Sequence, residues 1–469
     1  MLARIRNLFI DMVIIVVGGY AFISTINIIY NWFDILFLDS KKPAVEIIDG
    51  RIEGYAGQAS INVGESIDIY VRTTQPFFDL RVYRMGWYNG NGRLIVAEAK
   101  DLPGENYENP GSDPKTGLIE VDWSVSYNLQ TDTSWSSGVY LVELTAEGIA
   151  ESYALFVVRD DVRVGDILFQ LPVTTYQAYN NWGGKSLYDF NSPSGRAYKV
   201  SYDRPYKAGQ GTGLFFEGDY QMLLWLEREG YDVAYATSID MEEDPHLLDG
   251  YKVFITNFHD EYWSWDMRDH LIAARDRGVH LLFFASNNMY WQIRFEDSTT
   301  GKLNRVQVGY KDVSIDPMAT SPTPERTTVR WRDAPVNRPE NELLGIMYET
   351  QWDYGGYYPY VVSNADHWIY EGTELQNGDS IPDIVGYEVD TIWENGLTPP
   401  DIEVLSNSPV VDNIFSTATL YTAPSGARVF GASTNWWAMG LVDTEYDLEQ
   451  SADPRMEKMT KNLLARLIN

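Results

Sequence analysis

The chain has 469 residues, 36 Lys and Arg against 67 Asp and Glu, and a formal net charge of −31, so the basic footprint that nucleic-acid binding requires is absent. It contains no cysteine, which excludes thiol nucleophiles, disulfides, zinc–thiolate sites and iron–sulfur clusters. Its five histidines form no HxH or HxxxH pair, which argues against a histidine-rich zinc site and leaves Asp, Glu and the 32 Tyr as the metal donors on offer.

The sequence opens MLARIRN and continues in an apolar run from Leu8 to Tyr30. A helix of roughly 20 apolar residues spans a bilayer. Arg4 and Arg6 precede the run, and Asp39, Lys41 and Lys42 follow it. The positive-inside rule then leaves the N-terminus in the cytoplasm and the bulk of the chain outside. The run is long for a cleaved signal peptide, the competing reading, and no A-x-A site follows it. The expectation is a single-pass membrane protein anchored by residues 1–42, with its bulk extracytoplasmic.

Residues 43–160 change texture. Short alternating stretches such as SIDIYV (Ser66 to Val71) and VYLVEL (Val139 to Leu144) are bounded by turn residues, among them Asn89-Gly90-Asn91-Gly92 and Pro103-Gly104. Strands of this length and spacing predict an antiparallel, immunoglobulin-like β-sandwich. No acids, bases or metal ligands cluster here, which fits a structural or adhesive module.

Residues 161–469 alternate strand and helix. DILFQL (Asp166 to Leu171), YDVAY (Tyr231 to Tyr235), YKVFIT (Tyr251 to Thr256) and the stretch from His280 to Phe284 read as buried strands. Helices are expected at Tyr220 to Glu229, closed by Gly230, and after Ser264, an N-cap for a helix whose Met267, Leu271 and Ala274 share one face before Gly278 ends it. The alternation predicts an α/β domain with a mostly parallel sheet, helices on both faces and a loop-rich insertion at about 296–400. A late strand at Arg428 to Ala432 and an amphipathic helix from Pro454 to Ile468 close the chain.

In open parallel sheets, ligands gather beyond the carboxyl ends of the strands. Three of these strand ends lead into polar and aromatic clusters: TYQAYNNWGGKSLYD from Thr175, NFHDEYW from Asn257, and SNNMYW from Ser286. Taken one residue at a time, each has a plain structural explanation. Tyr176 and Tyr179 suit aromatic packing, His259 a core histidine bonded to backbone, Glu261 a cap for the helix near Ser264, and Asn287 a turn cap.

The three segments resemble motifs of the N,N-dimethylformamidase large (beta) subunit family. Supporting stretches are VSYDRPY (Val200 to Tyr206), WLEREGYDV (Trp225 to Val233), RPENELLG (Arg338 to Gly345) and VGYEVD (Val385 to Asp390), with GYAGQASINVGESI and YRMGWYNGNGRL in the sandwich. The resemblance implies a fold similar to class I glutamine amidotransferases and a mononuclear iron, Fe3+, held by two tyrosines and a glutamate. Carried over by motif, the metal ligands are Tyr179, Tyr188 and Glu261, with Tyr202 or Tyr220 as alternatives for the second tyrosine. The remaining site residues are His259 beside the metal, Asn287 after the fourth strand, and Glu388 as a further acid over the site. The resemblance also implies a small partner subunit or an oligomer. Two departures stand out: Asp260 where the formamidases are expected to carry proline, and the AYNNWGG form of the first motif.

These residues suit a metal-dependent amidohydrolase acting on a small amide or an amide-bearing polymer. Phenolates and a carboxylate are hard anionic donors for a ferric ion acting as Lewis acid. His259 or Glu388 would move the proton, and Asn287 would bond the oxyanion. Two other functions fit the same residues. One is a non-catalytic, membrane-anchored surface protein that binds glycan or envelope partners through aromatic residues such as Trp352, Tyr354, Tyr357 and Tyr358. The other is a glycosidase using Glu261 and Glu388 as its carboxylate pair.

Overall fold

The structure is a computed structural model that describes residues 50–351, 356–411, 413–444 and 452–469. The expected anchor, residues 1–42, lies outside the described residues, as do Trp352 and Tyr354. Among the described residues no helix is long and apolar enough to cross a membrane. The single-pass, extracytoplasmic placement expected from the sequence is therefore corrected, because no described element carries it.

Eight strands come first: β1 (Ile52–Ala56), β2 (Ser60–Asn62), β3 (Ser66–Thr73), β4 (Phe77–Met85), β5 (Arg93–Pro103), β6 (Tyr127–Gln130), β7 (Gly138–Ala146) and β8 (Ile149–Arg159). They form a three-stranded sheet, β1-β3-β6, and a five-stranded sheet, β2-β8-β7-β4-β5. Alternation along β7 sends Tyr140, Val142 and Leu144 to one face, where they join Ile67, Ile69 and Phe156 between the two sheets. Val139 and Leu141 face the other way and join Phe169, Tyr176 and Trp225 in a core shared with the second half of the chain. With both faces covered, β7 is apolar almost throughout, as a doubly buried strand must be. The short β2 runs parallel to β8, Ser60 opposite Val157, so this part is not purely antiparallel.

The second half is built on a seven-stranded sheet. Its strands are β9 (Ile167–Leu171), β10 (Val233–Thr237), β11 (Val253–Phe258), β12 (His280–Ala285), β13 (Glu403–Val404), β14 (Thr419–Thr422) and β15 (Arg428–Gly431). The order is β10-β9-β11-β12-β15-β14-β13. The first five are parallel; β14 and β13 add antiparallel. The helices are α1 (Val173–Tyr179), α2 (Asp219–Arg228), α3 (Ser238–Glu243), α4 (Trp265–Asp276), α5 (Asn341–Leu344) and α6 (Pro454–Ile468). In α4 the 3.6-residue period buries Met267, Leu271 and Ala274. Ser264 is its N-cap, accepting from the Met267 N–H at 3.1 Å, and Gly278 follows its last turn at φ 108°.

The fold class expected from the sequence is corrected here. The molecule is mixed α/β with seven sheets among the described residues, three of them two-stranded. The β/α alternation holds only from Ile167 to Ala285. Beyond it, stretches such as Trp291–Glu296, Tyr358–Val361 and Ser380–Val385 return as short hairpins and small sheets. Those stretches are only four to six residues long and pair as strands, so they do not supply the crossover helices that a longer parallel sheet needs.

The Ser264 cap gives a test of how α4 is held. Ser264→Ala is expected to cost about 1 kcal/mol of stability, read as a lowered unfolding midpoint, with Ser264→Thr close to wild type. An Ala variant as stable as wild type would show that the cap contributes nothing.

Candidate active site

β9 runs through Pro172 directly into α1, whose last residue is Tyr179; Asn180 turns extended (ψ 111°) and ends the helix. A loop then returns the chain so that the ring of Tyr188 stacks on that of Tyr179, centroids 4.5 Å apart. From the next strand, β11, the chain leaves through Phe258 at φ +57° into His259, Asp260 and Glu261. β12 leads similarly into Asn287 at φ +54°. Left-handed conformations at non-glycine residues cost of order 1–3 kcal/mol and gather where the surroundings over-determine them. Both have such support. The Asn435 side chain donates to the Phe258 carbonyl (2.7 Å), and Asp390 accepts from the Asn287 N–H and the Ser286 hydroxyl (2.9 Å each).

All six residues singled out from the sequence meet in one connected group. Tyr179 donates to Glu261 Oε2 at 2.9 Å, Tyr188 lies 2.9 and 3.0 Å from the two Glu261 oxygens, and the phenol oxygens are 3.0 Å apart. His259 stands behind them. Its Nε2 is 3.3 Å from both Glu261 Oε2 and the Tyr179 hydroxyl, and its Nδ1 is 3.3 Å from Glu388 Oε2. Asn287 Nδ2 donates to Glu388 Oε1 at 3.2 Å, while its own Oδ1 is buried with no hydrogen-bond partner among the described residues. Tyr202 and Tyr220 are directed elsewhere, to Gln307 and to the Gly92 carbonyl. The imidazole fills the space between Glu261 and Glu388, where a glycosidase would need its sugar.

Burial and charge set the protonation pattern. Desolvation, then the charge of Glu261, push both phenols well above the ordinary tyrosine value, so without a cation they stay protonated. Burial would lower the pKa of His259, but Glu388 and Glu261 outweigh it and raise it to about 9. Burial pushes Glu388 up to about 8 despite the imidazole. Glu261 is also penalised by burial, yet donors from His259 and Tyr179 and the charge of Lys311 hold it below the usual glutamate range. The charge of this carboxylate pair therefore rests on Glu261, which has the larger share of donors.

The donor set fits a small hard cation. Three oxygens about 3 Å from one another have the spacing of adjacent ligands around an ion with metal–oxygen bonds of roughly 2.0–2.1 Å. Anionic oxygen donors also match the preference of ferric iron. Such a cation would offset the desolvation that keeps both phenols neutral.

Three contributors escaped sequence reasoning. Lys311 places its buried Nζ 3.4 Å from the Tyr188 ring centroid and 4.9 Å from those of Tyr262 and Trp291, with no hydrogen-bond partner among the described residues. Its pKa falls to about 7 by burial. A lone lysine in a loop carries no local signature, since its aromatic cage comes from three distant segments. Asp390, two residues after Glu388, supports the Asn287 turn, and its signal was the second acid of the VGYEVD motif. Thr175 accepts the Glu261 N–H at 3.0 Å and ties α1 to the strand end that carries the carboxylate.

A family model described as N,N-dimethylformamidase beta subunit-like, C-terminal, matches residues 79–450. The chain is 25% identical over 334 residues to the N,N-dimethylformamidase beta subunit of Alcaligenes sp, covering 61% of this chain and 42% of that protein. It is 24% identical over 334 residues to the subunit of the same name from Paracoccus aminophilus, again 61% of this chain and 42% of that protein. The matches thus span less than half the length of these relatives.

A raised carboxyl pKa makes the folded state the tighter proton binder between the unfolded and folded values, so stability falls as pH rises through that window. For Glu388 the window runs from the ordinary 4.5 to about 8. Melting temperatures of the metal-free wild type and Glu388→Gln, taken across that range, are expected to diverge, with the wild type losing ground as pH rises and the gap levelling above it. Parallel curves would show that Glu388 does not carry the raised pKa.

Proposed function

The chain belongs to the N,N-dimethylformamidase beta subunit-like, C-terminal family, and on that premise we propose that it hydrolyses the C–N bond of an amide, with iron held by Tyr179, Tyr188 and Glu261. The observation that carries the reading is the convergence of two phenol oxygens and one carboxylate within about 3 Å of one another. When bound, ferric iron supplies Lewis-acid polarisation of an amide carbonyl and activation of water.

The other roles belong to the chain's own side chains. His259 hydrogen-bonds Glu261 through Nε2, fixing that carboxylate, and joins it through Nδ1 to Glu388. Near neutral pH the pair Glu388 and His259 holds a proton at the edge of the site, the position for a donor to a departing nitrogen. Asn287 spends one N–H on Glu388 and presents an unpaired carbonyl oxygen. That oxygen is an acceptor, suited to an N–H on the amine side of the scissile bond, and the second proton of the same amide nitrogen is the donor for the oxyanion role expected from the sequence. Lys311, held over the Tyr188 ring, adds positive potential beside a phenol that must ionise to bind a metal. The relatives are named beta subunits, and by that name we propose a second subunit or a higher oligomer for this chain too.

Purified protein loaded with iron is expected to hold the metal at one site and to show the visible colour of a ferric phenolate. Tyr179→Phe should abolish the colour and lower kcat/KM on small formamide-type amides by at least about 100-fold, while His259→Ala is expected to cost about 10–100-fold in metal affinity or activity. A wild-type chain that binds no iron, together with a Tyr179→Phe variant of unaltered behaviour, would remove the basis of the reading and favour a non-catalytic surface protein.

A further inference from the structure

The loop 180–187 that joins the two tyrosines is held from two sides, and one of them is the β-sandwich. On the inner side Arg204 donates to three loop carbonyls: Asn180 (2.8 Å), Trp182 (3.1 Å) and Lys185 (3.0 Å). Arg204 is 2% exposed and pairs with no carboxylate among the described residues. A buried guanidinium without a counter-ion is costly to desolvate, so its burial requires these acceptors to stay in place. The neighbouring carbonyl of Pro205 takes the Asn180 side-chain amide at 3.0 Å.

On the outer side Trp182 leaves the loop and enters the sandwich. Its Nε1 donates to Glu53 of β1 at 2.7 Å. Arg72 of β3 lies 5.4 Å from the ring centroids of both Trp182 and Trp123, and its Nε donates to the same Glu53 at 2.9 Å. A buried cation in contact with two buried indole rings and a partly exposed carboxylate is a strong local fixture. The loop closes against this fixture through Gly183 at φ +73°, where an added Cβ would meet Ile119 at 2.8 Å. The spacing of Tyr179 and Tyr188 is therefore the spacing of two ends of a loop pinned between Arg204 and the Glu53–Arg72–Trp182 fixture.

We propose that Trp182 and Arg204 are positioning residues for the tyrosine pair, and that the sandwich, through Glu53 and Arg72, is a working part of the active site. Neither residue touches the phenol oxygens, so each acts through the loop. The proposal rests on the Tyr179–Tyr188–Glu261 reading above, and its test includes a measurement that needs no metal. Full-length protein carrying fluorotyrosine is compared by fluorine NMR, the Tyr179 and Tyr188 signals being assigned with the single Phe variants. Trp182→Phe, which keeps an aromatic ring but loses the bond to Glu53, is expected to shift or broaden both signals in metal-free protein. Arg204→Lys, which keeps the charge but cannot bridge three carbonyls, should do the same. Leu144→Ala, a core change between the sandwich sheets, is expected to lower the melting temperature without moving either signal. In iron-loaded protein Trp182→Phe should lower kcat about 10–100-fold with KM little changed and a weaker phenolate colour. Unmoved tyrosine signals in Trp182→Phe, or equal movement in Leu144→Ala, would overturn the positioning role. Failure of wild-type protein to take up iron would overturn the metal reading and leave the fluorine result standing.

Discussion

Glu261 is a carboxylate with only 3% of its surface exposed, set at the end of a buried strand, and in such a place an ion must be matched by donors or give up its charge. The surrounding side chains supply the match. Two phenols and an imidazole reach its two oxygens, the Lys311 ammonium lies behind the Tyr188 ring, and a threonine hydroxyl takes its backbone N–H. Removing any one of these partners would leave the carboxylate short of compensation in a medium of low dielectric, where an unpaired charge is expensive. The second carboxyl, Glu388, has fewer donors and so holds its proton to about pH 8. A carboxylate and a protonatable neighbour joined through one imidazole is how two acids of the same type come to differ in charge at the same pH.

The fold delivers these groups by a repeated device. At the ends of β11 and β12 the chain turns through a left-handed residue, Phe258 and Asn287, and so directs the next side chains across the top of the sheet rather than along it. A second layer of buried polar groups holds each turn. Asn435 takes the Phe258 carbonyl, while Asp390 takes the Asn287 N–H and the Ser286 hydroxyl. Asp390 is itself pushed up to about 6 by burial, so it lies between Glu261, held low by its donors, and Glu388 at about 8.

The parts of this arrangement that are local in sequence were legible there. The strand at Ile167–Leu171, the α4 helix with its Ser264 cap and the closing helix Pro454–Ile468 follow from period, cap and turn residues. The six candidate residues came from motifs that resemble those of a known family, and the structure brings their side chains into one connected group. The overall class was not legible, because small sheets such as that of Tyr358–Val361 with Ser380–Val385 are made by pairings between segments with no period of their own. Lys311 was not legible for a related reason. Its aromatic cage is drawn from positions 188, 262 and 291, and only the folded chain brings them together.

Asp260 stands where proline was expected from the sequence, and its side chain has a structural task of its own. It stands between His259 and Glu261, where an extra acid facing the phenols would add negative charge to the site. Its carboxyl instead accepts from Gln170 Nε2 (2.9 Å) and the Thr256 hydroxyl (2.8 Å), and burial pushes its pKa up to about 6. Gln170 lies in β9 and Thr256 in β11, so Asp260 ties the two strands that lead to Tyr179 and Glu261. A proline at this position would limit φ without supplying that tie. Aspartate at this position thus braces the turn and leaves the oxygen donors as they are, while Tyr387 borders the site from another segment, its ring 5.9 Å from that of His259 and 5.3 Å from that of Trp436.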